Sequence, residues 1–360
     1  MKPLVTIGLP LCKRLEYLPN VLRVIEAQDY PAIDLLISDN GLNGTKIQEI
    51  VDRHYSKPNR FRQNPATVGI CEHFNQLIDS ANGEYYMMLA DDDEVTPNYV
   101  SELVNRLIGS PSAFLGVARQ QSIDKEGIVL RESSANIPQF LSGPDFIRGT
   151  WKTHEFDFQC LGTFMAKTAV LRECGGFPNF TRGYAVDNAL LIKLCLKGDV
   201  AFSPNSAFRW RVDASSYGWS SPIADLARAC RQYMHWMERD PTVIHYAATN
   251  PAVWSELKEA LIHNELLTYF WRWRDVYSHR LSFTQWVRAA FEMPYSYFYY
   301  RKVASVFARR VRAHLDRLFR SDLLERQQRQ TAPFRVGDGD GHRPIESAKD
   351  ALAQNRIDSQ

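Results

Sequence analysis

Residues 84–97 read EYYMMLADDDEVTP, an apolar run that passes without a break into three aspartates, Asp91, Asp92 and Asp93. A short apolar run bounded by turn residues marks a strand buried on both faces. Asn82-Gly83 is the turn before this one. Toward the N-terminus, Leu4–Leu9 (LVTIGL) and Asp34–Ser38 (DLLIS) read as two more such strands. Between them Leu18, Val21, Leu22 and Ile25 recur at helical spacing, until Gln28-Asp29-Tyr30-Pro31 ends the helix. Lys46–His54 and Glu72–Ala81 predict two further helices. Strands alternating with helices predict a parallel sheet covered on both faces. Ligands of such sheets sit beyond the carboxyl ends of the strands. Asp39, just after the second strand, and Asp91–Asp93 are therefore expected on one edge.

Three adjacent carboxylates repel one another unless a cation joins them. Oxygen-rich clusters select hard divalent ions such as Mg2+ or Mn2+. Such an ion can bridge two phosphates and neutralise a departing diphosphate. The competing reading is a solvated acidic turn, with Asp91 or Asp93 capping the next helix. The position of the triplet, ending an apolar strand and followed by Glu94-Val95-Thr96-Pro97, favours the site. Asp39 before Asn40-Gly41 has two readings as well: a turn aspartate, or an acceptor for the edge of a nucleobase.

The order of these segments resembles family 2 glycosyltransferases with the GT-A fold. The resemblance is carried by Val5–Pro10, Gln28–Pro31, ISDNGLNGT at 37–45, Asn64–Gly69, Asn75, Gly83–Tyr85 and LADDDEVTP at 89–97, and it covers roughly residues 3–215. It implies a Rossmann-like mixed α/β sheet and an inverting transfer from a nucleotide-diphospho-sugar, with a UDP-sugar favoured. It also implies roles by position. Pro10 and Leu11 would line the nucleoside pocket, and Asp39 would contact the base. Asp91 and Asp92 would lie near the ribose or sugar. Asp91 and Asp93 would be metal ligands for Mg2+ or Mn2+, Asp93 the better of the two.

GGF at 175–177 and YAVDNALL at 184–191 resemble the family's acceptor-side element, which makes Asp187 the general base. An inverting transfer needs one such base to take the acceptor's proton during in-line attack. The structural alternative is a carboxylate at the start of the apolar helix Ala189–Leu196. The family often has Glu-Asp here, whereas this chain has Val186-Asp187. Within RWRVDASS (209–216), Arg211 is expected at the diphosphate. Asp213 stands where relatives carry a histidine and would be a third metal ligand; the alternative is a surface Arg–Asp pair. Trp151, His154 and Trp219 are the acceptor candidates, because aromatic rings suit the C–H faces of sugars; core packing is the alternative for the tryptophans and a surface histidine for His154.

Composition sets the outer limits. Apolar residues make 45% of 360 and charged residues 23%, which suits a soluble globular chain, and a net charge of +2 gives no sign of nucleic-acid binding. Cys12, Cys71, Cys160, Cys174, Cys195 and Cys230 form no C-x-x-C pair and read as reduced thiols. With no signal-peptide pattern and no membrane-length apolar run, the chain is expected in the cytoplasm. Three regions are expected: a GT-A domain over 1–222, a helical extension over 223–320, and a disordered tail over 321–360. In Arg301–Arg320 an apolar stripe (Val303, Val306, Phe307, Val311, Leu315, Leu318, Phe319) opposes arginines, behind the aromatic run at 295–300. Such a helix either lies on the inner face of an anionic membrane or packs on the domain with a solvated basic face. The expected role is sugar transfer to a saccharide or lipid-linked acceptor in surface polysaccharide biosynthesis. A non-catalytic transferase-like binding module is the alternative. A nucleotidyltransferase is disfavoured because Leu9–Leu15 has no glycine. A nicotinamide dehydrogenase is disfavoured because no G-x-G-x-x-G follows the first strand.

Overall fold

The computed structural model describes residues 2–133, 137–156, 164–212, 221–277, 280–293, 299–309 and 312. The strands are β1 Val5–Leu11, β2 Ile33–Asp39, β3 Asn59–Gln63, β4 Tyr85–Met88, β5 Glu94–Val95, β6 Ala113–Ile123, β7 Val129–Glu132, β8 Phe140–Leu141, β9 Met165–Lys167 and β10 Asp199–Arg211. The helices are α1 Leu18–Glu26, α2 Lys46–His54, α3 Ile70–Asp79, α4 Tyr99–Gly109, α5 Gly143–Ile147, α6 Thr168–Glu173, α7 Val186–Lys197, α8 Ile223–Trp236, α9 Pro241–Thr249, α10 Pro251–Trp271 and α11 Phe283–Ala290. Arg148–Lys152 and Arg272–Val276 are π-helical turns.

One sheet runs β3-β2-β1-β4-β9-β6-β10-β5, with β7 beside β6 and β8 beside β10. Its first four strands are parallel, in the register Val5↔Ile33 and Val5↔Tyr85. Strict parallelism, read from the strand–helix alternation, ends at β9, which runs antiparallel to both β4 and β6. The sheet is thus mixed, as the family resemblance implied. Burial on both faces explains the apolar runs. Ile7, Leu9, Leu35, Ile37 and Met87 face α1, α2 and α4; Leu36 and Tyr86 face a second core with α3, α6 and α7. Gly8 is required where β1 meets Tyr86, since a Cβ there would lie 2.4 Å from the Tyr86 hydroxyl.

The second core continues into the C-terminal helices through Tyr233, Trp236, Met237, Val243, Trp254, Leu257 and Leu261. The chain up to Val303 forms one compact unit. A second unit begins at Ala304, and only its residues 304–309 and 312 are described. Helical residues 299–309 begin the expected basic helix; Val303 and Val306 are buried, while Arg301 and Arg309 are exposed. The rest of that helix, apart from residue 312, and the expected tail lie outside the described residues. No described helix is long and apolar enough to cross a membrane.

Candidate active site

Strands β1, β2 and β4 end on the same edge, and the loops leaving them wall one end of a cleft of about 1090 Å3. Pro10 and Leu11 close β1 and line the cleft, followed by Cys12, Lys13 and Arg14. After β2, Asn40 faces the cleft and ties three segments together. Its Nδ2 donates to Val68 O at 3.0 Å, and its Oδ1 accepts from Val68 N at 2.9 Å and Asn64 Nδ2 at 3.0 Å. His73 of α3 lies beside it, 2.9 Å from Ser38 Oγ. Burial, with the charge of Arg62 adding, lowers His73 to about 4, so the ring is neutral at pH 7.

Asp39 is fully buried and does not line the cleft. Its carboxylate accepts from Gly41 N at 2.7 Å, Asn43 N at 2.8 Å and Asn43 Nδ2 at 2.8 Å. It shapes the loop, as the turn reading expects.

Asp91 and Asp92 follow β4 and line the cleft. A single guanidinium nitrogen of Arg14 bridges them, at 3.1 Å from Asp91 Oδ1 and 2.5 Å from Asp92 Oδ2. Burial, with Asp92's charge adding and Arg14 opposing, raises Asp91 to about 6. Asp93 points elsewhere: its Oδ1 accepts from Arg211 N at 3.0 Å, and burial next to Asp92 raises its pKa. Arg211 is engaged on every side. Its Nε donates to Asp92 O at 2.9 Å, and its two terminal nitrogens donate to Asp124 O and, at 2.7 Å, to Glu94 Oε1; the guanidinium lies 4.7 Å from the centre of the Tyr17 ring. With a side chain only 2% exposed, Arg211 holds the acidic loop in shape and presents no face to the cleft.

Two neighbouring carboxylates on a cleft wall have the oxygen chemistry for a hard divalent ion, which would take the place of the Arg14 guanidinium between them and draw its other ligands from phosphate oxygens and water. Asp213 lies outside the described residues. Among those described, no cluster of three acidic, histidine or cysteine side chains is placed to hold a metal.

The other end of the cleft is built on α7. Gly175 and Gly176 turn with positive φ, at +72° and +63°. Asn75 of α3 clamps the turn, accepting from Phe177 N at 2.8 Å and donating to Phe177 O at 2.9 Å. The buried Lys193 donates to Cys174 O at 2.6 Å and Gly176 O at 2.7 Å. Asp187 sits in the first turn of α7 and lines the cleft, its Oδ1 accepting from Asn188 N at 2.9 Å. Burial pushes its pKa above the usual carboxylate range. Helix α7 begins at Val186, three residues before the expected Ala189, so Asp187 lies inside the helix's first turn. Trp151 is buried and His154 exposed at φ 54°; both line the cleft. Trp219 lies outside the described residues.

Of the expected site residues, Pro10, Leu11, Asp91, Asp92, Trp151, His154 and Asp187 therefore meet in one cleft, and Asp39, Asp93 and Arg211 stand behind its wall. Sequence reasoning missed Arg14, Asn40, His73, Glu265 and Arg272, which also line it. For Arg14 a signal existed: Lys13-Arg14 is a cation pair just past the first strand. Glu265 and Arg272 lie in helices with no sequence mark of proximity to the sheet.

Residues 6–175 match the model of glycosyl transferase family 2. Over 100 residues, 28% of this chain, the sequence is 30% identical to WcaA of Escherichia coli K12, named as a colanic acid biosynthesis glycosyl transferase; the match spans 36% of that protein's length. TarS of S. aureus, solved with UDP-GlcNAc, is similar in fold with a TM-score of 0.60 at 15% identity, covering 81% of this chain and 82% of that one. A mannosyltransferase from Pyrobaculum calidifontis, solved with GDP-Man and Mn2+, aligns with a TM-score of 0.54 at 16% identity, covering 86% and 80%.

Proposed function

We propose that the chain, whose residues 6–175 match the model of glycosyl transferase family 2, is a GT-A transferase that moves a sugar from a nucleotide-diphospho-sugar, a UDP-sugar by preference, to a saccharide or lipid-linked saccharide, with inversion. The observation that carries this is the placement of the Asp91–Asp92 pair and of Asp187 on one cleft.

The donor end has the chemistry of a nucleoside diphosphate site. Pro10, Leu11 and the neutral His73 offer flat apolar and polar faces for the nucleoside, and Lys13 and Arg14 supply positive charge for the diphosphate. A Mg2+ or Mn2+ ion held by Asp91 and Asp92 would neutralise charge on the departing diphosphate. Asp187 takes the proton of the acceptor hydroxyl as the sugar carbon is attacked. Its half-buried place in the cleft wall, which raises its proton affinity, suits that task. Trp151 and His154 border the acceptor end. The role is set in surface polysaccharide biosynthesis, a setting that the similarity to the E. coli protein supports. The protein works in the cytoplasm, with the exposed Arg301 and Arg309 toward an anionic membrane.

A panel of nucleotide-sugars, scanned by thermal melting with and without Mn2+ and then for donor hydrolysis, tests this. A UDP-sugar is expected to raise the melting temperature only when Mn2+ is present, because a ligand selective for the native state stabilises it. A panel in which no donor shifts the transition removes the donor assignment. Binding without turnover supports instead the non-catalytic binding module.

A further inference from the structure

Two arginines hold the acidic loop, and they differ in burial. Arg211 sits behind it with a side chain 2% exposed and donates to Asp92 O, Asp124 O and Glu94 Oε1. Arg14, in the loop between β1 and α1, lines the cleft with a side chain 27% exposed. One of its terminal nitrogens lies between Asp91 Oδ1 and Asp92 Oδ2, and its Nε is 3.9 Å from the carboxylate of the exposed Glu16. The Tyr17 ring packs against both guanidinium groups, its centre 5.6 Å from Arg14 and 4.7 Å from Arg211. Adjacent carboxylates on a partly dry wall repel each other and need a cation, and Arg14 supplies it. A divalent ion bridging the same two oxygens cannot share that space with a guanidinium. Among the described residues no third acidic, histidine or cysteine side chain is placed to complete a metal site. An ion arriving alone would therefore gain two protein ligands and break an ion pair. A diphosphate alters both sides of that balance, because it brings oxygens for the ion and an anion for the guanidinium.

We propose that Arg14 stands in for the metal ion: it bridges Asp91 and Asp92 while the donor is absent and moves to the donor's diphosphate when the ion enters. The inference rests on Asp91 and Asp92 holding that ion, as proposed above. The exchange couples two ligands. Metal without nucleotide displaces an arginine that has no other anion to meet. Nucleotide without metal meets an arginine still held by the carboxylates. Together they give every charge a partner, so each tightens the other. Between turnovers the wall stays neutralised, and two close carboxylates do not repel the incoming diphosphate. The loop itself keeps its shape through the exchange, because Arg211 and Asp93 hold it from behind.

The test is Mn2+ binding to the full chain, followed through the paramagnetic resonance signal of the free ion, first alone and then with UDP. Wild type is expected to bind Mn2+ weakly alone and more tightly with UDP. Arg14→Met keeps the apolar stem against Tyr17 and removes the charge. It is expected to bind Mn2+ alone about tenfold more tightly than wild type, since no charged hydrogen bond has to be broken, and to bind UDP at saturating Mn2+ about tenfold more weakly. An Arg14→Met protein that binds Mn2+ alone no more tightly than wild type overturns the proposal. If that variant does not fold, the wild type answers through modification of Arg14 by phenylglyoxal, read by peptide mass. Modification is expected to rise when Mn2+ alone saturates the protein and to fall again when UDP is added; reactivity unmoved by saturating Mn2+ overturns the proposal. If wild type binds no Mn2+ with or without UDP, the metal reading falls and the inference with it. Mn2+ and UDP binding that is indifferent to Arg14 removes the inference only.

Discussion

Asp187 shows how one side chain carries opposing demands. Burial disfavours its charged form, so the folded protein holds a proton that the unfolded chain releases above a pH of about 4. The sign follows: native stability tied to Asp187 is complete below that pH and is lost as pH rises through the raised folded value. Asp187→Asn keeps an acceptor for Asn188 N and removes the charge. We expect it to bind the donor normally, to lose transfer about 100-fold or more, and to melt higher than wild type at pH 7 but equally at pH 3.5. A melting difference that is the same at both pH values would show that burial of the charge is not the cause. The aspartate triplet stood out by type and position along the chain, whereas Asp187 stood out as a base only through the family resemblance and read by itself as a helix-start carboxylate. The partners of Asp39 and Arg211 were not legible, because hydrogen bonds to Gly41, Asn43, Glu94 and Asp124 depend on how loops close. Arg14 was legible only as a charge; its place between Asp91 and Asp92 follows from two strands lying side by side.

Strands buried on both faces were the easiest elements to read, since β1, β2 and β4 are nearly unbroken apolar runs. Strand β3, NRFRQ, escaped because it lies at the sheet edge with polar side chains. It is fixed instead by Arg60, which grips Asp34 through Nε at 2.8 Å and a terminal nitrogen at 2.6 Å. Asn75 on α3 was noted in the sequence with no visible reason. Its amide clamps Phe177 across 102 residues of chain, setting the Gly-Gly turn that Lys193 of α7 also holds. Asn75→Ala should leave both Phe177 backbone groups without these partners and cost about 2 kcal/mol, read from urea denaturation at unchanged m. A loss too small to measure would mean that the turn holds itself through Lys193.

The sheet and the helices after 223 share one core, so the expected boundary at 222 is a boundary in sequence pattern placed inside one compact unit. A chain ending at residue 222 would lose Tyr233, Trp236, Trp254, Leu257 and Leu261 from the core that α7, the helix carrying Asp187, helps to build. Such a truncation is expected to lose cooperative unfolding, measured by loss of a single sharp denaturant transition; a well-folded 1–222 fragment would refute the shared core. The expected residues Asp213 and Trp219 and most of the basic helix lie outside the described residues. Local sequence was enough for the α/β class, the strands that bear the cleft and the acidic triplet, because strand burial and turn chemistry are written in short windows of residue type. Packing at long range settled which carboxylates face the cleft and which arginine joins Asp91 to Asp92. Arg14 lies 77 and 78 positions from that pair, and such partners are set by how layers stack rather than by any neighbouring residue.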